Sequence, residues 1–282
     1  MERVGVVLNP SKPEALAGGR WLAEALRSRG IGVAALPTDA ERLGPDAVAV
    51  DALPDDLDLV FVFGGDGTLL RAAELVGGSK TPLLGVNVGH LGFLAALERG
   101  ELESGLARIL SNGFDVEERM VLEANVEGTE TRVRALNDVI VEKARAGRAI
   151  RIAVAVAGEP LVSWAADGVI VATATGSTAY SFSAGGPVVS PRLDCIVITP
   201  VAPHGLFGRT MVAPSDEEVV LTLLPDADAA SLSADGASVT PLEPGARVVV
   251  RAAPDRIRLA RVDPQPFWRL VREKFNLGRD RG

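Results

Sequence analysis

The sequence of 282 residues contains one cysteine and two histidines. Cys195 cannot form an intrachain disulfide, and within the apolar run 195–198 we expect it to be a small buried side chain in a reducing compartment. Neither His90 nor His204 has a second histidine or a cysteine at the spacing of a metal site. We therefore expect structural roles for both histidines and no metal ion held by the protein alone.

The chain also lacks an excess of positive charge, since its formal net charge is −8 at pH 7. Nucleic-acid binding requires a clustered basic face, so this charge argues against that class of partner. The N-terminus lacks the pattern of a secretory signal, and the uncharged stretch 168–191 is rich in Ser, Thr and Gly. We therefore expect a cytoplasmic protein that binds neither nucleic acid nor a membrane.

The first part of the chain alternates between apolar strands and helical segments. Strands are predicted at residues 3–8, 59–63 and 83–86, and helices at residues 14–29 and 69–76. The strands are apolar without interruption, which is expected when helices cover both faces of a parallel sheet. The sequence therefore predicts an N-terminal α/β domain over residues 1–115.

Beyond residue 115, apolar and polar residues alternate, and turn signals such as Gly158-Glu159-Pro160 separate the segments. We interpret residues 116–262 as a mostly β domain. Its predicted strands lie at residues 122–127, 133–141, 150–156, 169–172, 196–199, 219–224 and 247–251. A short amphipathic helix is predicted at residues 266–277.

A glycine loop, Gly64-Gly65-Asp66-Gly67-Thr68, lies directly between a predicted strand and a predicted helix. Its glycines let backbone N–H groups approach an anion, and the helix N-terminus adds partial positive charge, so the loop is predicted to hold phosphate. A carboxylate beside phosphate is electrostatically unfavourable unless it has a further function. Asp66 is therefore the candidate to accept a proton from an acceptor hydroxyl. The alternative is a tight turn in which Asp66 or Thr68 caps the helix.

Two common nucleotide-binding loops are absent. The residues after Gly65-Asp66-Gly67 break the Gly-x-Gly-x-x-Gly pattern, and residues 77–81 lack the glycine that precedes the lysine of a P-loop. Neither a Rossmann oxidoreductase nor a P-loop kinase is supported.

The chain resembles the NAD kinase family in five segments that follow the family's order. The glycine loop matches the first motif, residues 87–94 match the second, and Asn137-Asp138 matches an Asn-Glu pair. Residues 167–187 and 199–204 match the remaining motifs. The resemblance implies transfer of the γ-phosphoryl group of ATP to the 2′-hydroxyl of the adenosine ribose of NAD, which makes NADP.

The resemblance implies an α/β N-terminal domain, an all-β C-terminal domain and a last segment, residues 263–282, that packs back on the first domain. It also implies a homodimer or homotetramer in which a neighbouring subunit completes the NAD site. A divalent cation, Mg²⁺ or Mn²⁺, is expected to arrive with ATP rather than in a protein cage. Polyphosphate as donor and NADH as acceptor stay open.

The resemblance further implies a set of ligand contacts. Asp66 is implied as the base near the adenosine ribose, with Gly67 beside it. The other implied contacts are Arg71, Phe93, Asn137, Asp138, Arg148, Asp167, Thr178, Ala179, Tyr180, Ser181, Ser183 and Ala202. For Arg71 and Arg148 the alternative is a solvated arginine, and for Tyr180 it is a core aromatic.

Three positions depart from the family's pattern. Ala174 stands where proline is usual, Asp138 is one methylene shorter than the usual glutamate, and Thr210 follows Arg209 where proline is common. These departures concern the fine geometry of ligand contacts rather than the reaction.

Two other functions share some of these features. The diacylglycerol and sphingosine kinases carry a similar glycine loop, but Asn137-Asp138 and residues 167–187 argue against that group. A non-catalytic NAD(H)-binding regulator needs no carboxylate beside phosphate, so Asp66 argues against that function. Turnover of a lipid, or binding without turnover, distinguishes these functions from phosphorylation of NAD.

Overall fold

A computed structural model describes residues 1–89, 92–145, 147–263 and 266–278 of the chain. The chain forms two compact units, Met1–Glu118 together with Ile257–Gly282, and Arg119–Arg256. The domain limits predicted from the sequence lie at residues 115 and 262. His90 and its expected structural role fall outside the described residues.

Helices and strands are numbered along the chain. The helices are α1 (Pro13–Arg27), α2 (Pro37–Leu43), α3 (Asp66–Val76), α4 (Leu102–Asn112), α5 (Tyr180–Ser183) and α6 (Phe267–Lys274). The strands of the first unit are β1 (Arg3–Leu8), β2 (Gly32–Ala35), β3 (Val48–Ala49), β4 (Leu59–Gly64), β5 (Leu83–Asn87), β6 (Leu97–Glu98), β7 (Asp115–Arg119) and β20 (Ile257–Arg261). The strands of the second unit are β8 (Leu122–Val126), β9 (Arg132–Ala135), β10 (Asp138–Lys143), β11 (Ile150–Val156), β12 (Glu159–Ala166), β13 (Gly168–Thr173), β14 (Cys195–Val201), β15 (Met211–Pro214), β16 (Val219–Leu223), β17 (Ala230–Ala234), β18 (Ala237–Leu242) and β19 (Arg247–Ala252).

The first unit is built on one sheet, which has eight strands in the described part of the chain. The strand order is β3-β2-β1-β4-β5-β20-β7, and β6 pairs with β5. The pairs β1–β2, β1–β4 and β4–β5 are parallel, as the uninterrupted apolar strands predicted. All six residues of β4 are buried, because side chains on both faces of the strand are covered.

The chain returns to the first unit at its C-terminal end. Leu259 of β20 pairs in parallel with Leu83 of β5. The short helix α6 follows, and its Phe267 ring lies 6.2 Å from the ring of Phe93. The predicted C-terminal helix and the predicted packing of the last segment on the first domain are confirmed.

The second unit consists of two antiparallel sheets. Their strand orders are β15-β14-β13-β10-β17-β18 and β12-β11-β16-β19-β8-β9. In β11, buried residues alternate with more exposed ones, because only one face of the strand points into the core. Buried side chains from both sheets, such as Val171 and Leu221, form one apolar core. The predicted all-β C-terminal domain is confirmed.

One predicted strand is wrong. Residues 133–141 do not form a continuous strand, because β9 and β10 belong to different sheets. The break falls at Leu136 and Asn137, whose backbone N–H groups donate hydrogen bonds to the carboxylate of Asp235 instead of to a neighbouring strand. The carboxylate of Asp235 thus replaces the hydrogen-bond acceptors that a neighbouring strand would provide. The chain can therefore cross from one sheet to the other at this point.

Candidate functional site

The strand order of the first unit reverses at β1. Strands β2 and β3 lie on one side of β1, and β4 and β5 lie on the other. In sheets of this type, ligands bind outside the carboxyl ends of the strands at such a switch point. The residues that follow β1 and β4 line a cavity of about 330 Å³ there. The lining residues are Asn9, Pro10, Lys12, Gly65, Gly67, Thr68 and Arg71.

The glycine loop forms one wall of this cavity. A Cβ atom on Gly64 would lie 2.1 Å from Oγ1 of Thr68, so only glycine fits beneath that buried side chain. Cβ atoms on Gly65 and Gly67 would instead meet open space. Helix α3 begins at Asp66, and the backbone N–H groups of Asp66 and Gly67 have no hydrogen-bond partner among the described residues. The loop therefore presents backbone donors and the positive end of a helix to an open space that fits an anion.

Asp66 is held in a fixed orientation by the segment that follows β5. Its Oδ2 accepts the N–H of Phe93 at 2.9 Å, and its Oδ1 accepts the N–H of Leu94 at 3.1 Å. A Cβ atom on Gly92 would lie 2.1 Å from Oδ1, so glycine at position 92 permits this approach. The side chain stays partly exposed. Neither Asp66 nor Thr68 caps the helix. The N-cap residue of α3 is Gly65, and no side chain forms a capping hydrogen bond there.

Phe93 links this carboxylate to the C-terminal helix. Its ring lies 6.2 Å from that of Phe267 and 6.1 Å from that of Phe275. The ammonium group of Lys274 lies 4.7 Å from the centre of the Phe93 ring. The ring of Phe93 thus packs on α6, while its backbone N–H orients Asp66.

Arg71 lines the cavity from the second turn of α3. Its Nη2 donates to the carbonyl oxygen of Leu8 at 3.1 Å and to Oδ2 of Asp39 at 3.2 Å. Asp39 is only 3% exposed, and it also accepts the N–H of Leu8 at 3.2 Å. The buried carboxylate of Asp39 therefore holds the Arg71 guanidinium at the cavity and compensates its charge. Arg71 is not a freely solvated arginine.

Sequence reasoning missed Asp39 and Lys12 in this unit. Lys12 precedes α1 and lines the same cavity, and its Nζ donates to the carbonyl oxygen of Val88 at 3.2 Å. One available signal was the position of residues 9–13 directly after the first parallel strand, where ligand-binding side chains are common. Nothing in the local sequence around Asp39 distinguishes it from a surface acid.

In the second unit, the turn between β17 and β18 organises the Asn137-Asp138 pair. Asp235 and Gly236 have φ values of 48° and 80°, as a tight type I′ hairpin requires. The Asp235 carboxylate accepts N–H bonds from Leu136 at 2.8 Å, Asn137 at 2.7 Å and Asp138 at 3.1 Å. Asp235 was not among the predicted site residues, because residues 233–236 only loosely resemble the acidic turn of the family, although Asp-Gly is a recognised hairpin signal.

Asp138 is a buried carboxyl group with a strongly raised pKa. It is 3% exposed, and burial, followed by the nearby charge of Asp235, raises its pKa to about 7. In the ordinary, unfolded environment the pKa lies near 3.8. The folded protein therefore retains this proton across a range of pH in which the unfolded chain has released it.

Replacement of Asp138 by asparagine is expected to stabilise the protein at pH 8 and to leave its stability nearly unchanged at pH 4. As pH rises from about 4 to 7, the free energy of unfolding of the wild type falls, because the unfolded chain releases the Asp138 proton and the folded protein retains it. Above about pH 7 both states have released the proton, and the free energy falls no further from this cause. The neutral amide removes a penalty of up to about 4 kcal/mol. Urea unfolding at both pH values measures the difference.

Asp194→Asn is the matched control with the opposite sign. The hydrogen bonds from Arg256 hold the pKa of Asp194 below its usual range, so its replacement should lower stability at pH 8. Equal effects of Asp138→Asn at pH 4 and pH 8 would show that Asp138 does not carry a buried charge at high pH.

The long motif packs against Asn137. A Cβ atom on Gly176 would lie 2.0 Å from the carbonyl oxygen of Asn137, so glycine is required there. Thr173 joins the same contact, since its hydroxyl donates to the carbonyl oxygen of Leu136 at 2.7 Å and accepts the N–H of Gly176 at 3.0 Å. The structure thus brings two predicted motifs, distant in sequence, side by side in the second unit.

The predicted residues of the 178–183 segment differ in exposure. Tyr180 is 41% exposed, so it is not a core aromatic. Ser183 is exposed, and Thr178 and Ala179 are partly buried. Ser181 is fully buried, and its hydroxyl lies 2.9 Å from that of Thr199. The Ser181 hydroxyl therefore holds the segment in place.

The remaining predicted residues of this unit occupy varied surroundings. Asp167 is partly exposed, and its Oδ1 accepts a hydrogen bond from Lys143 at 2.5 Å. The side chain of Arg148 is 83% exposed and lies 3.9 Å from Asp228, as expected of a solvated arginine. Ala202 is exposed and has a φ of 46°, an uncommon conformation for alanine.

Cys195 and His204 are the cysteine and the histidine in the described part of the chain. Cys195 is buried, as predicted, and burial raises the pKa of its thiol. The side chain of His204 is exposed, and its backbone N–H donates to the carbonyl oxygen of Ala165 at 2.7 Å. Within the described ranges, no group of three or more His, Cys, Asp or Glu side chains could hold a metal ion. No helix among those residues is long and apolar enough to cross a membrane.

Family models match most of the chain, in both units. Residues 4–114 match the family model of the ATP-NAD kinase N-terminal domain, and residues 136–262 match that of the ATP-NAD kinase C-terminal domain. An NAD kinase of Leifsonia xyli is 45% identical over 96% of this chain and 93% of its own length. An NAD kinase of Heliobacterium modesticaldum is 43% identical over 99% of this chain and 100% of its own.

Two solved structures share the fold. A yeast NADH kinase in complex with NADH has a TM-score of 0.88 at 24% identity and covers 100% of this chain and 89% of its own. An NAD kinase from Archaeoglobus fulgidus in complex with ATP has a TM-score of 0.77 at 24% identity and covers 97% of this chain and 98% of its own. From these matches, which span both units, the chain belongs to the NAD kinase family, the phosphotransferases that convert NAD to NADP.

Proposed function

We propose that the chain transfers the γ-phosphoryl group of ATP to the 2′-hydroxyl of NAD with Asp66 as the proton acceptor. The observation that carries the role of Asp66 is its geometry. Two backbone N–H bonds orient its partly exposed carboxylate at the start of α3, beside a loop that opens into a cavity at the switch point. A purely structural acid would not need this exposure at a phosphate loop.

In the proposed reaction the 2′-hydroxyl oxygen forms a bond to the γ-phosphorus. The bond between that phosphorus and the oxygen that bridges to the β-phosphate breaks, and ADP leaves. Asp66 orients the hydroxyl and takes its proton late, because the transition state of phosphoryl transfer is loose. The open backbone N–H groups of the glycine loop stabilise the charge on the phosphate oxygens.

A divalent cation is proposed to enter with ATP. Such a cation usually keeps water and phosphate ligands instead of a cage of protein side chains. When bound to ATP, Mg²⁺ or Mn²⁺ neutralises charge on the phosphate chain. The partly exposed carboxylate of Asp66 adjoins the cavity-lining residues Gly65 and Gly67, and we propose that it approaches the cation through water.

We also propose that the other predicted residues contact the ligand, and the supporting observations come from each unit separately. In the first unit, Gly67 and Arg71 border the cavity. In the second unit, Asn137 and the buried Asp138 pack beside the long motif. We assign ligand contacts to Phe93, Asp167, Thr178, Ala179, Ser183, Arg148 and Ala202 as the family resemblance implies, and a supporting role to the buried hydroxyl of Ser181.

Replacement of Tyr180 by alanine is expected to raise KM for NAD about threefold to tenfold with little change in kcat. The ring is 41% exposed and is proposed to stack on a base of the ligand. Steady-state kinetics with NAD varied at saturating ATP measures the effect. Phe182→Ala is the control, because Phe182 is a similarly exposed ring, 38%, on the same short helix. An unchanged KM in a folded Tyr180→Ala variant would remove Tyr180 from the site.

We also propose that the chain is a cytoplasmic homodimer or homotetramer. Exposed apolar side chains on the second unit support self-association, since Leu206 is fully exposed and Phe207 and Val212 are 47% and 56% exposed. Light scattering during gel filtration measures the mass. A monomer that makes NADP at assay concentration would contradict this proposal and also the expectation that a neighbouring subunit completes the NAD site.

The donor is tested by assaying NADP with a strictly NADP-dependent dehydrogenase. Purified protein is incubated with Mg²⁺, NAD and either ATP or inorganic polyphosphate. In a parallel series NADH replaces NAD, and the product assayed is NADPH. We expect NADP from ATP and NAD. If polyphosphate alone supports the reaction, the proposed donor is wrong. If neither donor supports it although NAD binds, the proposed activity is wrong.

A further inference from the structure

The cavity at the switch point has two cationic side chains in its lining, Lys12 and Arg71. Their surroundings differ. The guanidinium of Arg71 is 3.2 Å from the buried carboxylate of Asp39, which compensates its charge. Among the described residues, no carboxylate forms an ion pair with Lys12. The charge that Lys12 brings to the cavity is therefore not neutralised there by any of the described residues.

The ammonium group of Lys12 also has few hydrogen-bond acceptors. It donates one hydrogen bond, to the carbonyl oxygen of Val88 at 3.2 Å. An ammonium group has three donors, and in the described part of the chain the other two have no acceptor. This leaves two N–H groups that can serve an anionic ligand in the cavity.

Gly89 makes room for this ammonium. A Cβ atom at position 89 would lie 2.4 Å from Nζ of Lys12. Any larger residue would therefore displace the amine from its position next to the segment that follows β5. The backbone at Gly89 is not in the left-handed region, so conformational freedom alone does not explain the glycine.

We propose that Lys12 is a further substrate-binding residue, whose ammonium contacts the phosphate chain of ATP in this cavity. The proposal rests on the proposed function. Oxygens of a polyphosphate chain need cationic donors in addition to the backbone N–H groups of the glycine loop, and a flexible ammonium provides one. The alternative is that Lys12 only ties the start of α1 to the segment after β5.

The test compares Lys12→Met with Lys12→Arg and Lys80→Met. Methionine keeps most of the length and the apolar stem and removes the charge. Lys80 is an exposed lysine of the same unit that does not line the cavity, so its replacement removes the same charge elsewhere. Each variant is examined for the midpoint of thermal unfolding, kcat, KM for ATP and KM for NAD, and ATP binding without NAD is measured by calorimetry.

Lys12→Met is expected to raise KM for ATP and the calorimetric Kd by at least about tenfold, which corresponds to about 1.4 kcal/mol. KM for NAD should change by less than about twofold. Lys12→Arg should retain most of the ATP affinity, and Lys80→Met should match the wild type. Gly89→Ala, which keeps the lysine and displaces its amine, should weaken ATP binding in the same direction.

Two results would overturn the assignment. One is an unchanged affinity for ATP in a folded Lys12→Met variant that still makes NADP. The other is an equal rise of both KM values together with a lower midpoint of unfolding, which a purely structural contact would produce. Failure of the wild type itself to make NADP would instead refute the proposed function, so the two failures are distinguishable.

Discussion

Replacement of Asp66 by asparagine is expected to lower kcat for NADP formation by about 10²–10⁴-fold, the usual contribution of a positioned general base. The amide has nearly the same shape but cannot take up the hydroxyl proton. It can accept only one of the two N–H bonds that Phe93 and Leu94 donate, so a modest loss of stability is also expected. Coupled NADP assays give kcat, and calorimetry checks that NAD still binds.

The control for this variant is Asp56→Asn. Asp56 lies in the same unit, its side chain is 74% exposed, and its ion pair with Arg3 is 3.5 Å long. Such a surface pair contributes little to stability, so activity should match the wild type. If Asp66→Asn retained a kcat within about twofold of the wild type, Asp66 would not be the base.

Replacement of Gly67 by alanine is expected to separate activity from stability. A Cβ atom there meets open space, and residue 67 lies within α3, so the free energy of unfolding should rise by up to about 1 kcal/mol. The same methyl group would occupy the cavity where the phosphate chain is proposed to lie. KM for ATP should therefore rise by at least about tenfold.

Gly100→Ala provides the comparison, because its Cβ atom would also meet open space and the residue does not line the cavity. Gly100→Ala should leave kcat and KM for ATP unchanged. A Gly67→Ala variant with normal KM for ATP would place the phosphate chain elsewhere. Thermal unfolding of both variants shows whether the loss of activity is independent of folding.

The fold near the glycine loop was predictable because its signals are local. The residues of β4 are apolar without a break, and the predicted strand at 59–63 differs from the observed one by a single residue. Helix α3 begins at Asp66 rather than at Leu69, because the N–H groups of Thr68 and Leu69 donate to the carbonyl oxygen of Gly65. A glycine-rich sequence does not predict such an early start, since glycine is a poor helix former.

The polar contacts that organise the site were not predictable in the same way. Asp39 and Arg71 are 32 residues apart, and Lys12 and Val88 are 76 apart. Asp235 orients the backbone at Asn137 from a distance of 98 residues along the chain. Periodicity reports which face of an element is buried, but it does not report which distant acceptor will satisfy a backbone N–H group. The break in the predicted strand 133–141 has the same cause.

The most direct test of the central claim follows the phosphorus atom. The protein is incubated with NAD, Mg²⁺ and ATP labelled in the γ-phosphate, and the purified product is assayed with a strictly NADP-dependent dehydrogenase. We expect one labelled phosphate for each molecule of product, a product that the dehydrogenase reduces, and an equal amount of ADP. Release of labelled inorganic phosphate without NADP, or label on a product that the dehydrogenase rejects, would contradict transfer to the 2′-hydroxyl.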